Sequence, residues 1–482
     1  MERYIKNNLK KWKESKNRKP LLLEGARQVG KTYVLKEFAQ ENYENSIYIN
    51  FDFDREAKKI FEGTHDPKVI LEKLSFLNNK HISPDNTILI FDEIQECPDA
   101  LLSLKYFCED YREYSIVSAG SLLGVKLTSK GFPVGKVDFL KLYPMSFTEF
   151  LLADGESGLV EYLNKINEIK NIDDIFFDKL NGKLKEYFII GGMPEVVSSW
   201  VTEKNIEEVN KIQSQILKSY ENDFSKHADK NMVDKIYLVW KSIVSCLSQE
   251  QKEFTASSIS KTARKKDFLS PIDWLSKTGI INKVYNISNP KFPLTAYEDI
   301  SSFKLYMLDV GLLRKKADLE PKIILEGDNL FKEFKGALTE NYILNMLLSG
   351  SKSSGISPNF YKKDNNEIDF IIQKGNKIIP IEVKSGENKN TKSLTKFNEK
   401  YNIDLSIRFS LRNLKLDGNV LNIPLFMAEY IDKFYSLSLR KRMELSASNN
   451  IEEQEDEEED YEDILTNENT ILSYNSEDDE EE

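Results

Sequence analysis

Short apolar runs alternate with helical patterns over the first 150 residues of the chain. Residues 21–23 are all leucine, as expected of a parallel strand that is buried on both faces. Residues 33–42 then place apolar side chains at helical spacing. Further apolar runs follow at residues 87–91, 114–119 and 138–142. Strands that alternate with helices predict an α/β fold with a doubly wound parallel sheet, which binds ligands at the carboxyl ends of its strands.

The segment that joins the first strand to the first of these helices carries a phosphate-binding pattern. It fits G-x-x-x-x-G-K-[ST] at each fixed position. A glycine loop followed by a helix N-terminus aims backbone N–H groups and the helix dipole at an anion. We expect Lys31 to reach the β- and γ-phosphates of ATP and Thr32 to bind Mg²⁺. The residues expected to contact the nucleotide here are Gly25, Ala26, Arg27, Gln28, Val29, Gly30, Lys31, Thr32 and Tyr33.

A pair of carboxylates ends the apolar run at residues 87–91. Asp92 and Glu93 lie about sixty residues after the lysine, with two helical patterns in between. At this position Asp92 is expected to hold Mg²⁺ and Glu93 to activate the attacking water. The next strand ends at Ser121, which we interpret as a γ-phosphate sensor ahead of Ser118. The alternative is a serine that only terminates a strand.

Residues 151–232 lose the strand patterns and read as a helical lid. Within them, Gly191-Gly192-Met193-Pro194 interrupts a helical segment, so the backbone must turn tightly there.

Residues 233–320 have the pattern of a winged helix. Three helical patterns and two strand-like stretches follow one another at residues 235–247, 255–263, 270–277, 280–287 and 302–307. Four basic residues precede the third helical pattern: Lys261, Arg264, Lys265 and Lys266. They are suited to contact DNA phosphates. A solvated turn is the alternative interpretation.

A second set of chemical residues lies between residues 336 and 410. A strand at 366–372 carries Asp369, and a second strand at 377–384 carries Glu382 and Lys384 on one face. An upstream helix carries Glu340. The set resembles the PD-(D/E)xK nuclease fold. That resemblance implies one or two Mg²⁺ or Mn²⁺ ions at Asp369, Glu382 and Glu340, with Lys384 stabilising the transition state. A cross-strand salt-bridge element is the alternative.

Taken together, these motifs resemble the bacterial and archaeal AAA+-type P-loop ATPases whose C-terminal half is a domain of unknown function. The resemblance covers residues 3 to about 435. It rests on segments 25–32, 91–95, 119–121, 142–147 and 191–194. It implies that Pro194 contacts the adenine base.

The length of the chain, 482 residues, indicates several domains. We expect an ATPase core at 1–150, a helical lid at 151–232, a winged-helix-like domain at 233–320, a PD-(D/E)xK nuclease-like domain at 321–436 and a disordered acidic tail at 437–482.

The net charge of the chain without its acidic C-terminal segment makes DNA a further expected partner. Residues 449–482 hold 17 acidic and no basic residues, and leaving them out changes the formal charge from −12 to +5. A mildly basic folded part is compatible with nucleic acid. The three cysteines cannot form a disulfide framework and favour the cytoplasm, and no apolar run is long enough for a membrane span. We expect ATP and DNA as partners, no membrane, and homo-oligomerisation as a further property.

Three functions fit these patterns. In the favoured one, ATP hydrolysis moves the lid and repositions a domain that cleaves DNA with a metal ion. In the main alternative, the nucleotide is a slow switch, and the C-terminal half is a non-catalytic module that binds DNA or protein. Protein remodelling through a central pore ranks last because no segment resembles a pore loop.

Overall fold

The computed structural model of the chain describes most residues up to 444. The described ranges are 1–121, 132–249, 252–326, 332–350, 356–363, 366–386 and 392–444. The expected acidic tail at 437–482 therefore lies outside the described residues from residue 445 onward. None of the helices in these ranges combines the length and the apolar character that crossing a membrane requires.

A five-stranded parallel sheet forms the N-terminal part of the molecule. Its strands are β1 (Leu21–Glu24), β2 (Asn45–Asn50), β3 (Thr87–Asp92), β4 (Ser115–Gly120) and β5 (Asp138–Lys141). They lie side by side in the order β2-β3-β4-β1-β5. All four pairings are parallel, which confirms the predicted α/β class. Since β4 separates β1 from β3, the end of β4 lies between the phosphate-binding loop and the two carboxylates.

The described residues of this part form five α-helices: α1 (Ile5–Glu14), α2 (Lys31–Asn42), α3 (Arg55–Phe61), α4 (Pro67–Asn78) and α5 (Pro98–Asp110). Local capping explains two of the helix starts. Asp54 and Asp66 each accept a hydrogen bond from a backbone N–H of the first turn. Pro67 occupies the first turn of α4, where its missing N–H costs nothing.

The lid consists of helices alone, since residues 151–232 contain no strand. These helices are α6 (Phe147–Ala153), α7 (Ser157–Lys165), α8 (Asp174–Ile190), α9 (Pro194–Glu203) and α10 (Ile206–His227). A capping box of Ser146 and Glu149 starts α6. Gly191, with a φ of 74°, ends α8, and Pro194 begins α9. The predicted tight turn at Gly191 to Pro194 is therefore present between two helices.

The middle part is less helical than its sequence suggests. It contains α11 (Lys230–Ser248), α12 (Leu269–Lys277), β6 (Ile281–Ile287), β7 (Glu298–Met307), α13 (Val310–Lys316) and α14 (Pro321–Glu326). The helix predicted over 255–263 is wrong, because only a 3₁₀ turn at Ala256–Ser258 forms there. Hydroxyl groups compete for local partners in this segment, and the Ser258 Oγ donates to the Thr255 carbonyl at 2.6 Å.

The C-terminal part completes a mixed sheet of eight strands. Its elements are α15 (Lys332–Ser349), β8 (Asn359–Lys363), β9 (Asn366–Lys374), β10 (Lys377–Val383), α16 (Lys392–Tyr401), β11 (Ser406–Ser410), β12 (Lys415–Asp417) and β13 (Val420–Pro424). The strand order is β12-β13-β11-β10-β9-β8-β6-β7. The β6–β7 hairpin thus extends the C-terminal sheet through the pair Asn286 and Phe360. The boundary expected at residue 320 does not separate two sheets.

Candidate functional site

The glycine-rich loop between β1 and α2 requires glycine at both ends. Gly25 and Gly30 have φ angles of 150° and 93°. A Cβ on Gly25 would lie 2.4 Å from the Leu142 carbonyl oxygen. Gly30 is the N-cap of α2, so the backbone N–H groups of the first turn face the loop. The loop therefore presents the anion-binding arrangement that its sequence predicts.

Lys31 folds back onto this loop. Its side chain is buried, and its Nζ donates to the carbonyl oxygens of Gly25 at 2.9 Å and Ala26 at 2.8 Å. Burial lowers the pKa of Lys31 to about 8, although the carboxylates of Glu93 and Asp92 act in the opposite direction. An anion bound in the loop would favour the charged form of this ammonium group.

Asp92 collects three donors at the end of β3. Its Oδ2 accepts from the Thr32 hydroxyl at 2.6 Å and from the Tyr48 hydroxyl at 2.9 Å. Its Oδ1 accepts from the backbone N–H of Glu93 at 3.0 Å. The structure therefore brings the two residues predicted to bind Mg²⁺ into direct contact. Tyr48, which the sequence did not indicate, orients the carboxylate from β2.

Glu93 is held at the far side of the same site. Its Oε2 accepts from Gln95 Nε2 at 2.5 Å and from the Ser121 hydroxyl at 3.4 Å. Ser121 directly follows β4 and so reaches the site from between β1 and β3. Ser118, the second choice for a sensor, is fully buried within β4, and its hydroxyl has no partner among the described residues. Of the two serines, only Ser121 contacts the candidate base.

A second group of acidic side chains lies where α15 packs on β9 and β10. Asp369 accepts a hydrogen bond from the backbone N–H of Val383 at 2.7 Å. Glu382 Oε1 lies 2.7 Å from the ammonium of Lys384. Its other carboxylate oxygen, Oε2, is buried and has no hydrogen-bond partner among the residues that the structure describes. Asp369, Glu382 and Lys384 thus lie at one end of the β9–β10 hairpin, as the sequence predicts.

Two lysines from the middle part enter this acidic group. Lys252 forms an ion pair with Glu340, whose other oxygen accepts from the Tyr306 hydroxyl at 3.2 Å. Lys304 is fully buried and lies 2.6 Å from Glu367. Neither lysine was expected here from the sequence.

Burial and neighbouring charges shift the pKa values of two carboxylates in this group. Burial raises the pKa of Asp369 to about 7, and the nearby Glu340 carboxylate acts in the same direction. Burial alone would also raise the pKa of Glu340, but Lys252 and Lys304 lower it on balance. Among the described residues, no three Asp, Glu, His or Cys side chains are placed to hold a metal ion. The metal set expected at Glu340, Asp369 and Glu382 does not fit a divalent ion as these side chains lie.

Comparison with protein families describes the part of the chain that carries the first of the two sites. Residues 17–151 match the model of an AAA domain. This part of the chain is an AAA-type P-loop ATPase-like domain. Residues 181–322 and 335–426 match two domains of unknown function, DUF8612 and DUF4143. No curated protein matches the chain.

Solved structures that the chain matches include three from archaea and bacteria, all at low TM-scores. A Walker-type ATPase of Pyrococcus abyssi is 13% identical over 64% of this chain and 94% of its own, with a TM-score of 0.39. The Aeropyrum pernix ORC1 protein, solved in complex with DNA, is 14% identical over 65% and 90%, with a TM-score of 0.26. Thermotoga maritima RuvB is 15% identical over 58% and 88%, with a TM-score of 0.29.

Arg27 connects the AAA domain to the lid. Its Nε donates to the Ser121 hydroxyl at 3.2 Å, and its guanidinium forms an ion pair with Asp223 on α10. The Tyr220 hydroxyl donates to the Arg27 carbonyl oxygen at 3.0 Å. Burial raises the pKa of Asp223, although Arg27 opposes the shift. A polar path therefore runs from Glu93 through Ser121 and Arg27 to the lid.

The turn before α9 also contacts the AAA domain. A Cβ on Gly30 would lie 3.4 Å from the Pro194 ring, so Pro194 covers the end of the phosphate-binding loop. A cleft of about 510 Å³ opens beside them, lined in part by Arg3 and Tyr33. The Arg3 guanidinium donates to the carbonyl of Val29 at 3.0 Å and thereby fixes the loop to the N-terminus. This role of Arg3 was not among the sequence-based predictions.

Asp309 holds the turn from the opposite side. This buried carboxylate starts α13 and accepts from the Leu312 N–H at 2.8 Å and from the Gly192 N–H at 2.6 Å. Burial raises its pKa to about 6. The Gly192 carbonyl in turn accepts from the Met145 N–H at 2.6 Å. The glycine pair is therefore needed because two other parts of the chain approach its backbone.

Proposed function

We propose that the AAA domain binds ATP with Mg²⁺ and hydrolyses it. The observation that supports this most directly is the contact between the Thr32 hydroxyl and Asp92 beside the loop that holds Lys31. These groups come from the carboxyl ends of β1 and β3, where a doubly wound sheet binds its ligand.

Lys31 and the loop bind the phosphates in this proposal. The ammonium group exchanges two loop carbonyls for the β- and γ-phosphate oxygens. Because burial lowers its pKa, a polyanion gains more from this lysine than it would from an exposed one. The N–H groups at the start of α2 add donors to the same phosphates.

Thr32 and Asp92 fit Mg²⁺. A hydroxyl and a carboxylate oxygen in contact offer hard oxygen ligands, and phosphates and waters supply the others in sites of this kind. When bound, the ion neutralises charge on the phosphates. Tyr48 keeps the Asp92 carboxylate turned toward Thr32.

Glu93 acts as the general base. Gln95 and Ser121 fix its carboxylate by hydrogen bonds. A water between this carboxylate and the γ-phosphate would lose its proton to Glu93 as its oxygen attacks phosphorus. The bond between the γ-phosphorus and the bridging oxygen breaks in the same step, so that ADP leaves and inorganic phosphate forms. Ser121 contacts Glu93 and Arg27, so it is placed to respond to the γ-phosphate.

The cleft beside Pro194 accommodates the base and ribose. Its volume of about 510 Å³ lies within the usual range for ligand sites. Tyr33 is half exposed at its edge and Pro194 forms a wall. Both residues therefore serve as adenine contacts, as the family resemblance implies for Pro194.

The C-terminal half binds DNA without cutting it, and the ATP state controls it through the lid. Lys261, Arg264 and Lys266 are exposed on the turn that precedes α12 and are free to meet phosphates. The acidic group, in contrast, is neutralised by lysines. This combination favours a nucleotide-controlled binding module over a deoxyribonuclease.

Metal-dependent DNA cleavage is the second candidate. It is favoured by one observation, the unpartnered oxygen of Glu382 beside Lys384. Plasmid incubated with Mg²⁺ or Mn²⁺, with and without ATP, separates the two. Cleavage that disappears in both Asp369→Ala and Lys384→Ala would establish the nuclease; the same weak nicking in wild type and variants would exclude it.

The ATPase is tested with Lys31→Ala. This change should abolish hydrolysis and most ATP affinity while leaving the thermal stability of the nucleotide-free protein near wild type. Lys59→Ala, an exposed lysine on α3, is the matched control and should keep full activity. Unchanged turnover in Lys31→Ala would overturn the assignment of the site.

A further inference from the structure

Five charged side chains meet between the middle part and the C-terminal sheet. Glu340 on α15 and Glu367 and Asp369 on β9 supply three carboxylates. Lys252, from the segment after α11, and Lys304 on β7 supply two ammonium groups. Glu340 is 4% exposed and Lys304 is 0% exposed, whereas Lys252, Glu367 and Asp369 are partly exposed at the edge of the group.

Carboxylates buried together need a cation among them. A divalent ion in such a place is held by oxygen atoms that have no other partner. Here four of the six oxygens already have a partner. Both oxygens of Glu340 are bound, by Lys252 and Tyr306, and one oxygen of Glu367 is bound by Lys304. One oxygen of Asp369 is bound by a backbone N–H. The two ammonium groups offset most of the negative charge that would otherwise attract Mg²⁺ or Mn²⁺.

The positions of the two lysines along the chain matter as well. All three acids belong to residues after 330, whereas both lysines come from the middle part of the chain. Each ion pair therefore joins the middle part of the chain to the C-terminal elements. A metal ion held by the acids alone would make no such connection.

We propose that Lys252 and Lys304 take the place of a divalent cation in this acidic group. The group then works as a metal-free ionic contact that fixes the middle part of the chain to the C-terminal sheet. Removing Lys252 frees Glu340 beside Asp369, with the unpartnered oxygen of Glu382 on the adjacent strand. The acids should then accept the metal ion that the lysine replaces.

The test is Mn²⁺ binding to nucleotide-free protein, followed by the electron paramagnetic resonance signal of the free ion. Wild type should bind no Mn²⁺ in a manner that depends on Asp369. Lys252→Met, which keeps most of the side-chain length without its charge, should bind one Mn²⁺ at least about tenfold more tightly than wild type. Adding Asp369→Asn to Lys252→Met should remove that site, and Lys363→Met, at an exposed lysine on β8, should behave as wild type.

Thermal unfolding gives a second readout. Mn²⁺ should raise the melting temperature of Lys252→Met and leave that of wild type unchanged. The chelator EDTA should also leave the melting temperature of wild type unchanged. Binding by wild type that Asp369→Asn abolishes would overturn the proposal. A folded Lys252→Met variant with no gain in Mn²⁺ affinity would overturn it equally. If Lys252→Met does not fold, the wild-type comparison with Asp369→Asn decides the matter alone.

Discussion

Replacing Gly192 by alanine would test the turn that holds Pro194 over the phosphate-binding loop. A Cβ at this position would lie 2.0 Å from the Met145 carbonyl oxygen and 2.8 Å from the Met145 nitrogen. Both atoms belong to the backbone, so no side-chain rotation relieves the overlap. The turn must move by at least about 1 Å to reach an acceptable contact distance of about 3 Å.

A movement of this size breaks two buried hydrogen bonds. One joins the Met145 N–H to the Gly192 carbonyl, and the other joins the Gly192 N–H to the Asp309 carboxylate, each at 2.6 Å. A neutral bond contributes about 1 kcal/mol and one to a charged group about 1.5–3 kcal/mol. We therefore expect Gly192→Ala to lower the free energy of unfolding by about 2–4 kcal/mol.

The assay is urea unfolding followed by tryptophan fluorescence, with Gly182→Ala as the matched control. Gly182 lies within α8, and a Cβ there would have no neighbour within 4 Å. The control should gain about 0.5–1 kcal/mol from improved helix propensity. ATP affinity, measured with a fluorescent analogue, should fall only in Gly192→Ala because Pro194 moves with the turn. Equal stability of the two variants would refute the steric reasoning.

Three further changes test single contacts. Tyr48→Phe removes a hydrogen-bond donor to the Asp92 carboxylate, and such a bond contributes about 1.5–3 kcal/mol. The Mg²⁺ concentration for half-maximal ATPase activity should therefore rise about tenfold or more. An unchanged Mg²⁺ titration would argue against this role. Burial raises the pKa of Asp309 to about 6. The stabilising contribution of this group is therefore present at low pH and lost as the pH rises through about 6. In urea unfolding, the unfolding free energy of wild type should fall by about 1 kcal/mol relative to that of Asp309→Asn between about pH 5 and pH 7. Asp223→Asn removes the ion pair of Arg27, a partly exposed contact that contributes about 1 kcal/mol. Limited proteolysis of the lid should therefore be about fivefold faster in the variant than in wild type. Equal cleavage rates in the two proteins would contradict a stabilising role of the contact.

The nucleotide site was predictable because its parts are local in sequence. An apolar run, a glycine loop and a helical pattern lie within residues 21–42, and each dictates its own backbone conformation. The acidic pair follows a second buried strand, so its position at the sheet edge follows from the parallel topology. Thr32 and Asp92 accordingly meet where the motif places them.

The partners of these residues were not predictable in the same way. Tyr48, Arg3 and Asp309 act through contacts between positions far apart in the chain, and none lies in a recognisable spacing. Tyr48 had one available signal, since it lies near the end of β2, the strand that pairs with β3. A polar residue at the end of a neighbouring strand is a candidate to reach the same site.

The middle part shows where local pattern reasoning fails. Residues 255–263 have helical spacing of apolar positions, but hydroxyl side chains offer the backbone other hydrogen bonds, and only one 3₁₀ turn forms. The merger of β6 and β7 with the C-terminal sheet depends on pairing across more than 70 residues. No periodicity within either segment encodes that pairing, so two domains were expected where one sheet is present.

The merged sheet gives the ATP site a physical connection to the far end of the molecule. Pro194 covers the phosphate-binding loop, and Gly192 on the same turn is bound by Asp309. Asp309 follows β7 by two residues, and β7 carries Lys304 into the acidic group at Glu367. The steps are a packing contact, a buried hydrogen bond, the chain itself and an ion pair, and packed elements joined in this way do not deform gradually at low cost. If ATP displaces the turn at Gly192, either β7 moves with the turn or the hydrogen bond between Gly192 and Asp309 breaks. These two outcomes would be the discrete states that a nucleotide switch requires.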